Sequence, residues 1–206
     1  MRFVFLRHGD TEEKAEERVQ EKNNPLSEAG KLQAAKVIKD LVPFKIDLVV
    51  SSPMPRARDT AMIINNSLQK EVVFSDLLVE VKWPTKLEGI RVDDPKVVEY
   101  RTLRNEKNVS DVSWHFSDEE NFADLKMRAM KLLEWLKGLK GENILVVTHS
   151  TFLKVIVAVM CHGEKVVWPI YYDFLTFTRP KHTSISTFNL TDKGKWQMDI
   201  WNWLNE

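Results

Sequence analysis

The chain has 206 residues, with 30 basic and 30 acidic side chains and therefore a formal net charge of zero. A hydrophobic share of 43% beside 29% charged residues is a globular composition, long enough for one domain with a substantial core. Electroneutrality argues against a nucleic-acid surface, which carries a basic excess, and the apolar stretch at 152–161 is interrupted by Lys154 and too short to span a membrane. The single cysteine, Cys161, cannot pair within the chain and is read as a small core residue of a reducing interior. Residues 1–6 turn polar too quickly for a secretion signal, so the cytoplasm is the expected compartment.

In chain order, residues 3–6 read as a buried strand flanked by polar residues. Ser27 fits the N-cap of a helix with Leu32, Ala35, Ile38 and Leu41 on one face, stopped by Pro43. Residues 46–50 form the next strand. A helix from about Arg56 then carries Ala57, Ala61, Ile64 and Leu68 at helical spacing, and 72–74 is a short third strand. Residues 83–118 break the rhythm: Trp83-Pro84, Gly89 and Asp94-Pro95 are turn signals amid charges without a clean period. They are expected as an insertion, or cap, over one end of the sheet within a single domain spanning 1–206. A long helix from about Glu120 buries Phe122, Leu125, Ala129, Leu132, Leu136 and Leu139 and closes at Gly141. Residues 144–147 are uninterruptedly apolar, the mark of a strand covered on both faces. They run into Thr148-His149-Ser150, with Ser150 as a cap for a helix bearing Phe152, Val155, Ile156 and Val159. The tail, roughly 173–203, alternates like antiparallel strands around an Asp192-Lys193-Gly194 turn. This alternation predicts an α/β fold: a three-layer αβα sandwich with a mainly parallel central sheet. Ligands of such sheets bind beyond the carboxyl ends of the strands.

Three predicted strand ends deliver Arg7-His8-Gly9, Ser52-Pro53 with Arg56, and Thr148-His149. Each has an ordinary structural reading alone. Together they bring two arginines and two histidines to one rim, and gathered like charges imply an anionic ligand, most simply a phosphoryl group. No His/Cys/Asp/Glu set stands at metal-ligand spacing, so neither metal nor other cofactor is expected.

Leu6-Arg7-His8-Gly9-Asp10-Thr11 resembles the RHG signature of the histidine phosphatase superfamily, the phosphoglycerate mutase-like family. Arg18-Val19-Gln20, the Pro25-to-Gly30 stretch with Gln33-Ala34 behind it, and the segment from Ser52 to Ala61 follow in that family's order. Leu78-Val79-Glu80, Leu87-Glu88-Gly89 and Val146-Val147-Thr148-His149 continue the resemblance over nearly the whole chain. The resemblance implies His8 as a nucleophile forming a phosphohistidine, for which a pKa of ~6.5 leaves much of an imidazole neutral. It implies Arg7 and Arg56 on the phosphoryl oxygens, His149 donating to the same oxygens, and Glu80 as general acid and then base.

Several positions depart from the family pattern. Lys14 stands where asparagine is common, and is read either as a secondary phosphate ligand or as a solvated lysine among Glu12, Glu13, Glu16 and Glu17. Ser150 replaces a glycine, and the stretch between Glu80 and Gly89 is long, so Glu80 has the rival reading of an exposed strand-end carboxylate. Arg91, Arg101 and Arg104 could bind a second anion or form a solvated face with neighbouring acids. Trp83 and Trp114 could touch substrate or pack within the insertion, and His115, His162 and His182 show no partner pattern. The expected activity is a metal-independent phosphatase for small phosphomonoesters. The alternatives are a phosphoglycerate mutase using the same phosphohistidine, and a protein phosphatase acting on phosphotyrosine or phosphohistidine. A binding module without turnover is the non-enzymatic alternative. The expected partner is a small phosphorylated substrate, with neither nucleic acid nor membrane, and the oligomeric state is left open, a homodimer included.

Overall fold

The computed structural model describes residues 1–205, with the backbone alone for Lys14 and Ala15. The strands are β1 (Arg2–Arg7), β2 (Leu48–Ser51), β3 (Glu71–Phe74), β4 (Asn143–Thr148), β5 (Ile185–Leu190) and β6 (Trp196–Trp203). The helices are α1 (Glu12–Ala15), α2 (Glu28–Lys36), α3 (Ile38–Leu41), α4 (Pro55–Leu68), α5 (Pro95–Ser110), α6 (Phe122–Lys137), α7 (Ser150–His162) and α8 (Trp168–Phe177). Among the described residues the strands form one sheet in the order β3-β2-β4-β1-β5-β6. The first four run parallel, whereas β5 pairs antiparallel to β1 and β6 antiparallel to β5.

The strand period of two divides the core. Phe3, Phe5, Val50, Ile144 and Val146 face one side, packed against Leu132 of α6, Phe152 and Ile156 of α7 and Trp168 of α8. Val4, Leu6, Val49, Leu145 and Val147 face the other, against Leu41, Ala57, Ala61 and Ile64. The central strands are thus covered on both faces, which is the expected three-layer α/β sandwich. A separate small cluster joins Val19 to Leu87, Val97 and Tyr100, with Trp83, Ile90, Val92 and Phe116 against it.

Several local expectations are corrected. The helix after Ser27 ends at Lys36 and resumes as α3, and Pro43 lies within a 3-10 turn at Val42–Phe44. Its first part buries Gly30 and Ala34, and leaves Leu32 73% exposed. The segment 83–118, read as irregular, contains the 16-residue α5. Helix α6 is capped at Gly138 rather than Gly141. His149 rather than Ser150 takes the N-cap position of α7. Residues 173–177 belong to α8, and the antiparallel strands begin only at Ile185. Cys161 is exposed near the end of α7, not a core residue. Among the described residues no helix is long and apolar enough to cross a membrane.

Candidate active site

Each parallel strand leaves the sheet at the same rim, and the loop after β1 passes directly over α2. A Cβ on Gly9 would stand 2.5 Å from the Gly30 carbonyl oxygen, and one on Gly30 would stand 2.2 Å from the Asp10 carbonyl oxygen. Only two glycines allow this approach. The Asp10 N–H donates to Gln33 Oε1 (2.9 Å), the Gly9 N–H to Thr60 Oγ1 (3.1 Å), and the Ser27 N–H to the Asp10 carbonyl (3.0 Å). The Pro25-to-Gln33 stretch and Thr60 therefore buttress the turn that carries His8.

His8 is 1% exposed, and its Nδ1 lies 2.6 Å from the Gly9 carbonyl. A carbonyl only accepts, so Nδ1 carries the proton and the neutral ring keeps its lone pair on Nε2. The His149 ring centroid is 5.0 Å from that of His8, and His149 Nε2 shares a 2.9 Å hydrogen bond with Ser52 Oγ. His149 Nδ1 is buried without a hydrogen-bond partner. Burial lowers the pKa of both imidazoles well below 6.5; the other imidazole and the two arginines add to this for His8, and the arginines for His149.

Arg7 and Arg56 are buried, and both are tethered through backbone carbonyls. Arg7 Nη1 donates to Pro180 (2.7 Å), while Arg56 Nη1 donates to Glu21 (3.1 Å) and Lys22 (3.4 Å). Each Nε is buried without an acceptor, and among the described residues no carboxylate lies within ion-pair distance of either. Burial brings Arg7 down to about 10 and lowers Arg56, with Glu80 opposing in both cases. Two buried guanidiniums with orphan donors between two imidazoles make a cradle that an oxyanion would complete.

Glu80 projects from the loop after β3 onto the start of α7. Its Oε1 accepts from the Val81 (2.9 Å) and Phe152 (2.8 Å) N–H groups, and its Oε2 from that of Thr151 (3.1 Å). The carboxylate thus caps α7, whose own N-cap, His149, supplies no side-chain bond. The helix end binds Glu80 and His149 into one unit. The segment before Glu80 is held in turn by Arg128 of α6. Its Nη1 donates to the Val79 (2.8 Å) and Leu77 (3.3 Å) carbonyls, and the guanidinium pairs with Glu120 at 2.6 Å.

Arg7, His8, Arg56 and His149 converge, with Glu80 beside the two arginines. The side chain of Lys14 lies outside the described residues. Arg91 pairs with Asp93 on the surface, whereas Arg104 lies over the rings of Trp83, Tyr100 and Trp168 at 5.8, 5.4 and 5.5 Å. Trp83 packs on Tyr100 and Trp114 on Phe116. Sequence reading passed over His182, whose ring lies 5.7 Å from that of His8 and whose Nδ1 lies 3.0 Å from Asp10 Oδ1. The signal available was strand direction: an antiparallel β5 enters the sheet at the rim where the parallel strands leave it.

A family model described as histidine phosphatase superfamily (branch 1) matches residues 3–204. The phosphatase PhoE of Bacillus subtilis is 25% identical over 200 residues, covering 96% of this chain and 92% of that one. A probable phosphoglycerate mutase of Escherichia coli, GpmB, is 28% identical over 160 residues, covering 77% and 74%. At 29% identity the chain spans about half (49%) of the length of the mycobacterial proteins it also matches. Among solved structures, a mycobacterial glucosyl-3-phosphoglycerate phosphatase in complex with VO3 superposes with a TM-score of 0.78 at 24% identity, over 98% of both chains.

Proposed function

The chain belongs to the histidine phosphatase superfamily, and we propose that it hydrolyses small phosphomonoesters without a metal, through a phosphohistidine on His8. The observation that carries this reading is the buried His8 ring, with Nδ1 on a carbonyl and Nε2 left to attack, between guanidiniums whose Nε atoms are buried without an acceptor among the described residues. In the first half-reaction the Nε2 lone pair bonds to phosphorus as the ester P–O bond breaks. Protonated Glu80 gives its proton to the departing alkoxide. In the second, Glu80 takes a proton from water as the oxygen bonds to phosphorus and the P–N bond breaks, returning neutral His8 and orthophosphate. Arg7, Arg56 and His149 hold the three equatorial oxygens, where charge is spread in the transition state. Lys14 is a further candidate for the phosphate. In the same proposal residues 83–118 cap the site within a single domain, and the enzyme acts in the cytoplasm.

Incubation with p-nitrophenyl phosphate and a set of phosphorylated metabolites tests the reading. Orthophosphate release and an acid-labile phosphoenzyme are expected, and both are lost in His8→Ala. Turnover retained in that variant removes His8 as nucleophile. Rapid isomerisation of 3-phosphoglycerate without phosphate release assigns the chain to mutase chemistry, as the likeness to GpmB allows.

A further inference from the structure

The feature that this reaction leaves unused is the pair formed by Asp10 and His182. Residues 178–184 connect α8 to β5, and because β4 and β5 flank β1, His149 and His182 reach His8 from opposite neighbouring strands. Imidazoles from three adjacent strand ends thus stand side by side. The His8 and His182 rings are inclined by only 30° at a centroid separation of 5.7 Å. Asp10 immediately follows the Arg7-His8-Gly9 triplet, and its Oδ1 holds His182 Nδ1 at 3.0 Å, with side chains 24% and 14% exposed.

The loop that presents His182 is fastened on both sides. Arg7 Nη1 donates to the Pro180 carbonyl, the Thr183 N–H donates to the Arg7 carbonyl (3.0 Å), and the Arg7 N–H to that of Ser184 (3.4 Å). On the far side Asn202 Oδ1 accepts from the Lys181 N–H (2.7 Å), and Asn202 Nδ2 donates to the Arg179 carbonyl (3.1 Å). Thr183 has φ +54°, a left-handed conformation disfavoured for a β-branched residue, and it is buried. Strain of this kind persists where the surroundings over-determine it, and it gathers at working sites.

We propose that the Asp10–His182 pair acts through the nucleophile: as a carboxylate–imidazolium pair standing against the His8 ring, it keeps that ring unprotonated. The inference rests on the reading of His8 as the attacking group. Asp10 favours a charged His182, and the imidazolium then opposes a second positive charge on His8. His182 is accordingly among the groups that lower the pKa of His8, after burial, His149, Arg56 and Arg7. The groups facing His8 are thus Arg7 on β1, Arg56 on α4, His149 at the end of β4 and His182 ahead of β5. Glu80 faces the arginines, and Asp10 faces both Arg7 and His182.

Imidazole titration by NMR in the histidine-labelled full chain tests this, with the His8 signal identified by its absence in His8→Gln. His182→Asn and Asp10→Asn are expected to raise the His8 midpoint by about one unit, whereas His182→Arg, which retains a positive charge, keeps it low. Phosphoenzyme formation in single turnovers then falls about twofold at the new midpoint, approaches a tenfold loss only below the original midpoint, and falls less than twofold at pH 8. An unmoved His8 midpoint in a folded His182→Asn or Asp10→Asn protein overturns the proposal, as does an equal loss of rate at every pH. The titration reads the pair whatever reaction His8 performs, so its failure is separable from absence of a phosphoenzyme in the unsubstituted protein.

Discussion

His8 and His149 are buried bases held neutral beside two buried guanidiniums, and stability should register this as a pH dependence. Their pKa values are lowered by folding, so above pH ~6.5 neither the folded nor the unfolded state binds the proton and the pair is neutral to stability. Below that value the unfolded chain binds protons that the native site refuses. Stability therefore falls with falling pH, by about 1.4 kcal/mol per pH unit for each histidine, until the folded-state pKa is reached. Urea unfolding at pH 7, 6 and 5 in phosphate-free buffer checks this. His8→Asn is expected to flatten the slope by one proton's worth below pH 6, and an unchanged slope would contradict a neutral buried His8. At this scale Arg7, His8, Arg56 and His149 were legible because each follows a recognisable apolar strand. His182 was not, since its partner is Asp10 at the other end of the chain and no local spacing joins them.

At the scale of elements, the legible features were those with an apolar period. Helix α6 and strands β1 and β4 were readable, whereas α5 was missed because Arg101 and Arg104 pack on Trp83 through their guanidinium faces and interrupt its apolar stripe. The face of α2 was misjudged for a related reason. The loop bearing Asp10 approaches so closely that only a glycine fits at position 30, so the buried face of α2 is Gly30 and Ala34 and Leu32 is turned outward. Elements also set the position of Glu80. Arg128 spans α6 and the Leu77–Val79 carbonyls, lies 3.6 Å from the Phe152 ring centre, and pairs with Glu120 where both side chains are mostly buried (13% and 17% exposed). Arg128→Ala removes charge-assisted hydrogen bonds and leaves Glu120 uncompensated, at a cost of roughly 2–3 kcal/mol by urea denaturation. It is also expected to slow alkyl phosphates more than p-nitrophenyl phosphate, whose leaving group needs little protonation. Equal slowing of both would mean that Arg128 does not act through Glu80.

Over the whole molecule, 30 positive charges balance 30 negative ones, yet the balance is not local. Acids and bases pair on the surface, as in Lys31–Glu28 and Arg91–Asp93, while Arg7 and Arg56 are buried and, among the described residues, tethered to carbonyls and a thioether sulfur. Composition therefore could not reveal the site. It becomes visible only when the topology brings the ends of β1, β2 and β4 and the start of β5 to one rim. A buried cluster of cations that the nearby carboxylates do not directly pair with, among the described residues, opposes folding, and an anion that binds only the native state relieves that opposition. At a concentration one hundred times its dissociation constant such a ligand stabilises by about 2.7 kcal/mol. For a chain of this size, where each kcal/mol moves the midpoint by about 2–4 °C, Tm should rise by roughly 5–11 °C. Thermal unfolding with orthophosphate or vanadate measures the rise, with sodium chloride at matched ionic strength as the control. Arg56→Ala should remove most of the gain while leaving the chloride curve little changed in shape. A rise that chloride reproduces would be general screening, and the cradle at the rim would then not be a phosphoryl site.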